Sequence, residues 1–239
     1  MISERKFAEK FTSFWNDMLP RGQDVSRYVN LQRDRFAPPL LSDTPASRRA
    51  LVNEIGFRLF TERVAEGRVT NRSPDPLHLV TVGREIAHAL EGELPLPSEG
   101  ESVEPRPAEI NEAIVLADRL SIFFTEYTEE RPIVAAPEFA GCGIIERCRG
   151  DVLAGRTLYE VKSGESSFRL ADLRQVLTYC VLNHALPVYP LQAIGLLNPR
   201  TGVFFVADLE TVIRGGAGIP ADSWFFEMTH FLSSQSTSG

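Results

Sequence analysis

The chain has 239 residues, of which 43% are hydrophobic and 24% are charged, with a formal net charge of −7; this excludes the disordered and fibrous classes and allows a core without disulfides. No run approaches the roughly 20 apolar residues that cross a bilayer, and the start lacks the features of a secretory signal, so we expect a cytoplasmic protein that makes no membrane contact. A net negative chain binds a phosphate backbone poorly unless a local basic face or a partner protein supplies the contact.

The N-terminal part of the chain has the pattern of helices. Apolar residues recur at helical spacing over residues 4–19, and Pro20 is expected to end this helix. A second helix is predicted to begin with Thr44 as its cap and Pro45 at its first helical position. We assign residues 1–90 to a helical N-terminal region.

Residues 91–108 are dense in proline, serine, glycine and glutamate, which predicts a linker or mobile loop. The domain boundary is expected there, with residues 109–239 forming the second domain. Periodicity in that domain predicts a helix, three strands, a helix, a strand hairpin and a terminal helix. In order, these segments are residues 109–127, 132–141, 142–153, 157–164, 166–186, 191–199, 202–210 and 220–234. The fold class expected from this order is α/β.

The three cysteines and four histidines do not form a metal-binding pattern. The cysteines are odd in number and lack zinc-finger spacing, which favours reduced thiols over disulfides or a structural zinc. The histidines are scattered without ligand spacing. Any metal is therefore expected to be held by oxygen ligands.

The second and third predicted strands form a hairpin that contains two acids and a lysine. A two-residue turn, Gly155-Arg156, joins them most simply, because a type II′ turn prefers glycine at its first central position. Asp151 then lies directly opposite Glu160, on the same sheet face, with Cβ atoms about 4.5–5.5 Å apart. The two-residue period places Lys162 on this face as well.

Two carboxylates at this distance repel each other and require a compensating cation. Lys162 can supply part of that charge, but a magnesium ion held by one or two carboxylates, water and a phosphate oxygen explains the spacing better. Lys162 would then orient or activate a water for attack at phosphorus. The alternative is an exposed hairpin with a cross-strand salt bridge among Asp151, Glu160 and Lys162. Gln175 and Tyr179, at i and i+4 on one face of the following helix, favour the chemical interpretation.

The segment GDVLAGRTLYEVK, residues 150–162, resembles the motif of the PD-(D/E)XK nuclease superfamily. The segment RQVLTY, residues 174–179, is similar to the Q-x-x-x-Y motif of its RecB-like branch. The resemblance covers roughly residues 108–208. It implies a restriction-endonuclease-like core, in which helices flank a central mixed sheet in the order α-β-β-β-α-β, with a helical N-terminal extension.

The resemblance also implies a role for each residue of the hairpin. Asp151 and Glu160 would be metal ligands, and the backbone carbonyl of Val161 would complete the shell. The metal would be Mg²⁺, for which Mn²⁺ substitutes. Lys162 would be the catalytic lysine.

The following helix would support this site and contact DNA through Gln175, Tyr179 and Arg174. Members of the superfamily often add a glutamate from the first core helix, for which Glu112 and Glu126 are both candidates. Glu138, at the end of the first predicted strand, could also reach the site as an additional acid; a solvated strand end is the alternative.

The function implied is that of a metal-dependent nuclease that hydrolyses DNA phosphodiester bonds, in prokaryotic restriction, repair or antiviral defence against phage. The alternative is a non-catalytic or partner-activated subunit of a nucleic-acid-processing or defence complex that retains the nuclease fold. The acidic charge favours the alternative, and the intact set of Asp151, Glu160 and Lys162 favours the enzyme. The partners expected are DNA and either a larger protein complex or a second copy of the chain.

Overall fold

The computed structural model describes residues 1–67, 76–89 and 104–235. Contacts divide the chain into two compact units. The sheet unit consists of Met1–Arg35, Glu130–Asn198 and Val203–Gly239, and the helical unit consists of Phe36–Glu129 and Pro199–Gly202.

This division differs from the one predicted from the sequence. Residues 1–35 belong to the same unit as the C-terminal sheet, and the predicted first core helix, residues 109–127, belongs to the helical unit. The predicted linker, residues 91–108, lies outside the described residues up to residue 103. Apolar periodicity shows which face of a helix is buried, but it does not show which unit covers that face. The domain boundary predicted from composition therefore differs from the division into units found in the structure.

The helices of the described segments are α1 (Glu4–Lys10), α2 (Thr12–Met18), α3 (Gly22–Leu31), α4 (Arg49–Ala65), α5 (Pro76–Ala89), α6 (Pro107–Ile122), α7 (Leu170–Ala185), α8 (Leu209–Ala217) and α9 (Ala221–Gln235). The strands are β1 (Asp34–Arg35), β2 (Ile133–Ala135), β3 (Glu138–Phe139), β4 (Cys148–Arg149), β5 (Val152–Ala154), β6 (Thr157–Val161), β7 (Ala193–Asn198) and β8 (Val203–Asp208). A short 3₁₀ helix precedes α4 and a π-helical turn follows α6. No helix in these segments is both long and apolar enough to cross a membrane.

Six strands form one mixed sheet in the order β1-β8-β7-β6-β5-β2. β6 and β7 are parallel, and α7 is the crossover between them; the other neighbours in this sheet are antiparallel. β3 and β4 form a separate two-stranded ribbon. Helices flank the sheet, so the α/β class predicted from the sequence is confirmed.

The predicted turn of the β5–β6 hairpin is confirmed. Ala154 pairs with Thr157, which leaves Gly155 and Arg156 as the two-residue loop. Gly155 has a φ of +54°, the left-handed region that the first central position of this turn requires and that glycine adopts without a Cβ penalty. Every residue of β5 is buried, as expected for a strand in the interior of a sheet.

The first predicted helix is in fact two helices. The chain breaks at Phe11, whose φ of −89° and ψ of 46° are not helical. The break lets Phe7 and Trp15 both become fully buried, and the indole Nε1 of Trp15 donates a hydrogen bond of 3.1 Å to the carbonyl of Phe7. Trp224 of α9 packs on Trp15, with ring centroids 6.4 Å apart. The N-terminal segment is thus part of the core of the sheet unit.

The predicted cap of the second helix is wrong. The 3₁₀ turn before α4 has Pro45 at its N-cap position. The hydroxyl of Thr44 instead donates a hydrogen bond of 2.7 Å to Glu112. A buried carboxylate accepts such a hydrogen bond strongly, and this tertiary partner outweighs the local preference for a cap.

Candidate active site

Asp151 and Glu160 face each other across the β5–β6 hairpin. The outermost pair of the ladder is Val152 with Tyr159, and the same register makes Asp151 and Glu160 the next pair outward. Oδ2 of Asp151 accepts a hydrogen bond of 2.6 Å from the backbone N–H of Val161, which ties the acid to the facing strand. Directly opposed residues project from one face of a sheet, and the charge of Asp151 acts on Glu160.

Glu160 is a buried carboxylate whose two oxygens differ. Its side chain is only 2% exposed, and Oε1 accepts a hydrogen bond of 2.6 Å from Nζ of Lys162. Oε2 is buried and has no hydrogen-bond partner among the described residues. Leaving a buried polar group without a partner costs about 1–3 kcal/mol, and more for a charged group. Such an atom in a folded protein points to a ligand.

The electrostatics of the cluster favour binding of a cation or a proton. Burial, followed by the negative charge of Asp151, raises the pKa of Glu160 well above its ordinary value. Burial lowers the pKa of Lys162, but the adjacent Glu160 carboxylate outweighs it, so that the pKa of Lys162 is raised. The two carboxylates thus carry more negative charge than the one ammonium group beside them.

Lys162 is held between the sheet and α7. Its backbone N–H donates a hydrogen bond of 2.7 Å to the carbonyl of Leu197, which extends the β6–β7 ladder past the end of β6. Nζ donates a hydrogen bond of 3.0 Å to Oε1 of Gln175 and lies 3.8 Å from Oδ1 of Asp172. The ammonium group therefore has a defined position beside Glu160.

The predicted Gln175 and Tyr179 pair lies next to this lysine. Nε2 of Gln175 donates a hydrogen bond of 3.0 Å to the hydroxyl of Tyr179, one helical turn further along α7. Tyr179 is 2% exposed and stacks on Phe139. Burial, with the charges of Glu160 and Asp151, raises the pKa of Tyr179, so that its hydroxyl stays protonated and donates.

Two acids at the site were not anticipated from the sequence. Asp172 accepts a hydrogen bond of 2.8 Å from the backbone N–H of Arg169 at the start of α7, and it lies close to Lys162. Glu4 of α1 accepts a hydrogen bond of 3.4 Å from the hydroxyl of Tyr179. Asp172 lies in the first turn of α7, where an acidic residue is favoured by the helix dipole, whereas no local pattern pairs Glu4 with α7.

Arg174, which the resemblance implied as a DNA contact, is buried in the sheet unit. It is 6% exposed, its guanidinium carbon lies 5.7 Å from the centroid of the Trp15 ring, and Nη2 donates a hydrogen bond of 3.3 Å to Asn16. Burial lowers its pKa. The guanidinium thus packs against α2, and this position argues against the predicted contact with DNA.

The two glutamates proposed from the first core helix belong to the helical unit. The carboxylate of Glu112 accepts hydrogen bonds of 2.6 Å from Ser42, 2.7 Å from Thr44 and 2.5 Å from Arg200. Burial opposes ionisation of Glu112, but these three donors outweigh it and hold the pKa below its usual value. Glu126 is exposed in the π-helical turn. Glu112 therefore already has a full set of partners within its own unit.

Glu138 is paired with two arginines of the sheet unit. Its carboxylate binds Arg147, and its Oε1 lies 2.9 Å from Nη2 of Arg149. The hydrogen bonds from Arg147 and Arg149 lower the pKa of Glu138. Glu138 is thus a partly exposed, ionised strand residue whose carboxylate is bound by two guanidinium groups.

The donor set of the hairpin suits a hard divalent cation. Within the described residues, no group of three or more histidine, cysteine, aspartate or glutamate side chains could hold a metal ion. Magnesium, however, is usually held by only one or two carboxylates and keeps several waters. Asp151, Glu160 and the backbone carbonyl of Val161 are oxygen donors of this kind, and Oε2 of Glu160 is a buried acceptor without a partner.

No family model, no curated protein and no solved structure matches this chain. The chemistry of the site must therefore be inferred from its own geometry: two opposed acids, a lysine bound to one of them, and a Gln-Tyr pair that contacts the lysine.

Proposed function

We propose that the protein is a metal-dependent nuclease that hydrolyses DNA phosphodiester bonds, with the restriction-endonuclease-like core that the sequence resemblance implies. The observation that carries this proposal is the state of Glu160. One of its oxygens binds Lys162, the other is buried without a partner, and Asp151 faces it across the hairpin. A purely structural salt bridge gives no reason to bury an unpaired carboxylate oxygen beside a second acid.

In this proposal, Asp151, Glu160 and the carbonyl of Val161 hold Mg²⁺, for which Mn²⁺ substitutes. A divalent ion held there would neutralise charge on the phosphate oxygens and make the attacking water more acidic. Lys162 positions the attacking water through its ammonium group. Because the carboxylates raise its pKa, Lys162 is protonated at neutral pH and acts as a hydrogen-bond donor rather than as a general base.

Gln175 and Tyr179 keep Lys162 in place. Gln175 accepts a hydrogen bond from Lys162 through its Oε1 and donates to Tyr179 through its Nε2, so the orientation of its amide is defined at both ends. Side chains locked in this way hold a catalytic group near its productive geometry.

The order of the elements supports the fold part of the proposal, with one departure. Within the six-stranded sheet, β2, β5 and β6 are three neighbouring antiparallel strands, and α7 then leads to the parallel strand β7. The β3–β4 ribbon is inserted in the chain between β2 and β5. The helix before them, α6, belongs to the helical unit, whereas α1 packs against α7 in the sheet unit. In this chain α1 would therefore replace the first core helix.

The test is a cleavage assay on linear and circular DNA, single- and double-stranded, with Mg²⁺ or Mn²⁺ and with EDTA. The assay compares the native protein with Glu160→Gln, Lys162→Met and the control Glu227→Gln, an exposed carboxylate of α9. We expect metal-dependent cleavage that falls at least about 100-fold in both site variants and is unchanged in the control, because each variant removes an interaction with developing charge.

Cleavage that survives in both site variants would contradict the proposal. If the native protein does not cleave DNA in any of these conditions, the result would favour the alternative, a partner-activated or non-catalytic subunit. Thermal melting of each variant shows whether a loss of cleavage reflects unfolding.

A further inference from the structure

A cleft of about 520 Å³ in the sheet unit is lined by Glu4, Glu138, Arg147, Cys148 and Arg149. It contains two guanidinium groups, those of Arg147 and Arg149. The side chains of Arg147 and Arg149 are 72% and 69% exposed. The cleft therefore presents donors to solvent rather than burying them.

The cleft is connected to the candidate active site by hydrogen bonds. From Lys162 they run to Gln175 at 3.0 Å, from Gln175 to Tyr179 at 3.0 Å, and from Tyr179 to Glu4 at 3.4 Å. Glu4 is also one of the residues that line the cleft. A ligand in the cleft would thus lie on the Tyr179 side of the catalytic cluster.

The chain itself gives a second connection. Arg149 is the last residue of β4, and only Gly150 separates it from Asp151. The backbone N–H of Gly150 donates a hydrogen bond of 2.9 Å to the carbonyl of Pro137, which fixes this segment against the strand that carries Glu138. Arg149 and Asp151 are therefore held on one short, anchored segment.

Arg147 and Arg149 both bind the carboxylate of Glu138. Glu138 lies opposite Arg149 in the β3–β4 ribbon and accepts hydrogen bonds from Nε at 3.2 Å and from Nη2 at 2.9 Å through its Oε1. It also binds Arg147. Burial raises the pKa of Cys148 to about 12, so its thiol adds no competing negative charge. The two planar guanidinium groups thus donate hydrogen bonds to the same anionic group, and arginine binds phosphate with the same geometry.

We infer that Arg147 and Arg149 form a binding subsite for a backbone phosphate of the nucleic acid, next to the phosphate that is hydrolysed, and that Glu138 occupies this subsite in the free protein. The inference rests on the proposed nuclease function for the identity of the ligand. The exchange is feasible because an exposed ion pair is held weakly and is screened by salt. Glu138 thus keeps the two guanidinium groups in position until the phosphate replaces its carboxylate.

The experiment measures binding without cleavage. Fluorescence anisotropy of labelled single- and double-stranded oligonucleotides is recorded in EDTA over a series of salt concentrations. The proteins compared are the native chain, Arg147→Gln, Arg149→Gln, the double variant and Glu138→Gln. Arg214→Gln is the matched control, because Arg214 is also exposed and paired with a glutamate, Glu210, but lies on α8.

We expect each single arginine variant to weaken binding several-fold and the double variant to reduce the slope of log K against log salt by about one to two, since each lost phosphate contact removes about one unit. Glu138→Gln should bind more tightly than the native protein, because it removes the competing anion. Binding by the double variant with native affinity and slope would overturn the inference, as would equal weakening in Arg214→Gln.

Failure of this inference can be distinguished from failure of the proposed function. If cleavage depends on Glu160 while the arginine variants bind as the native protein does, the subsite is excluded and the nuclease stands. If binding depends on the arginines while no protein cleaves DNA, the subsite stands and the nuclease does not. Because the side chains of Arg147 and Arg149 are exposed, we expect the variants to fold as the native protein does, and thermal melting checks this.

Discussion

The carboxylate of Glu4 accepts a hydrogen bond of 3.4 Å from the hydroxyl of Tyr179, although 175 positions separate the two residues in the sequence. The contact arises because α1 packs against α7. The N-terminal segment therefore contributes an acid that contacts Tyr179, next to the candidate site.

Glu4→Gln is expected to lower the rate of DNA cleavage about 10- to 100-fold with little change in stability. Loss of a residue that hydrogen-bonds to the groups around a metal site typically lowers activity by this amount. The stability should change little because Glu4 is only half-buried. Steady-state cleavage and thermal melting measure the two effects. Glu9→Gln, on the same helix and paired with Arg5, is the control. Native activity in Glu4→Gln would remove Glu4 from the site.

Glu112→Ala is expected to destabilise the protein by about 3–5 kcal/mol, because it leaves the guanidinium of Arg200 buried without its carboxylate partner. The side chain of Arg200 is 2% exposed. Urea unfolding measures the loss, and the cleavage rate per folded molecule should not change. A fall in that rate at native stability would contradict this structural role and restore Glu112 as an additional catalytic acid.

The stability of the metal-free protein is expected to fall as the pH rises above about 5. The pKa of Glu160 is raised in the folded state, so its contribution is full below the unfolded pKa of about 4.3 and is lost as the pH rises through the folded pKa. The pKa of Lys162 is also raised, so its stabilising contribution is full below its unfolded pKa of about 10.4 and is lost only above that pH.

The carboxyl groups with lowered pKa values, such as Glu109 and Glu112, act in the opposite direction. Their contribution is present above the unfolded pKa of about 4.3 and is lost as the pH falls. Urea unfolding in EDTA between about pH 5 and 7 therefore reports on Glu160, because this range lies above the unfolded pKa of the carboxyl groups and below that of the cysteine thiols. The free energy of unfolding should depend less on pH in Glu160→Gln than in the native protein. If it depends on pH equally in both proteins, the raised pKa of Glu160 is contradicted.

Below the raised pKa of Glu160, binding of Mn²⁺ or Mg²⁺ is expected to release protons, because the ion there competes with a proton for this carboxyl group. Calorimetric titrations at one pH in two buffers with different ionisation enthalpies measure the number released. The affinity should rise with pH, and the release should disappear in Glu160→Gln. A heat of binding that is the same in both buffers would show that Glu160 is already ionised without metal.

The hairpin at the centre of the site could be predicted from the sequence because its determinants are local. A two-residue turn at Gly155 and Arg156 sets the pairing of the strands on either side, and that pairing places Asp151 opposite Glu160. The spacing of Gln175 and Tyr179 on one helix likewise requires only the helical period, and the structure joins them by a hydrogen bond.

The other residues around the candidate site could not be predicted, because their positions depend on contacts between segments that are distant in the sequence. Periodicity indicated that α1 and α7 each bury a face, but only the packing brings Glu4 to Tyr179, turns Arg174 onto Trp15, and sets Glu138 between Arg147 and Arg149. A hydrophobic pattern specifies that a side chain is covered, not which residue covers it. The sequence by itself therefore determined the opposed acids and the lysine beside them, whereas the tertiary structure decided which further residues surround them.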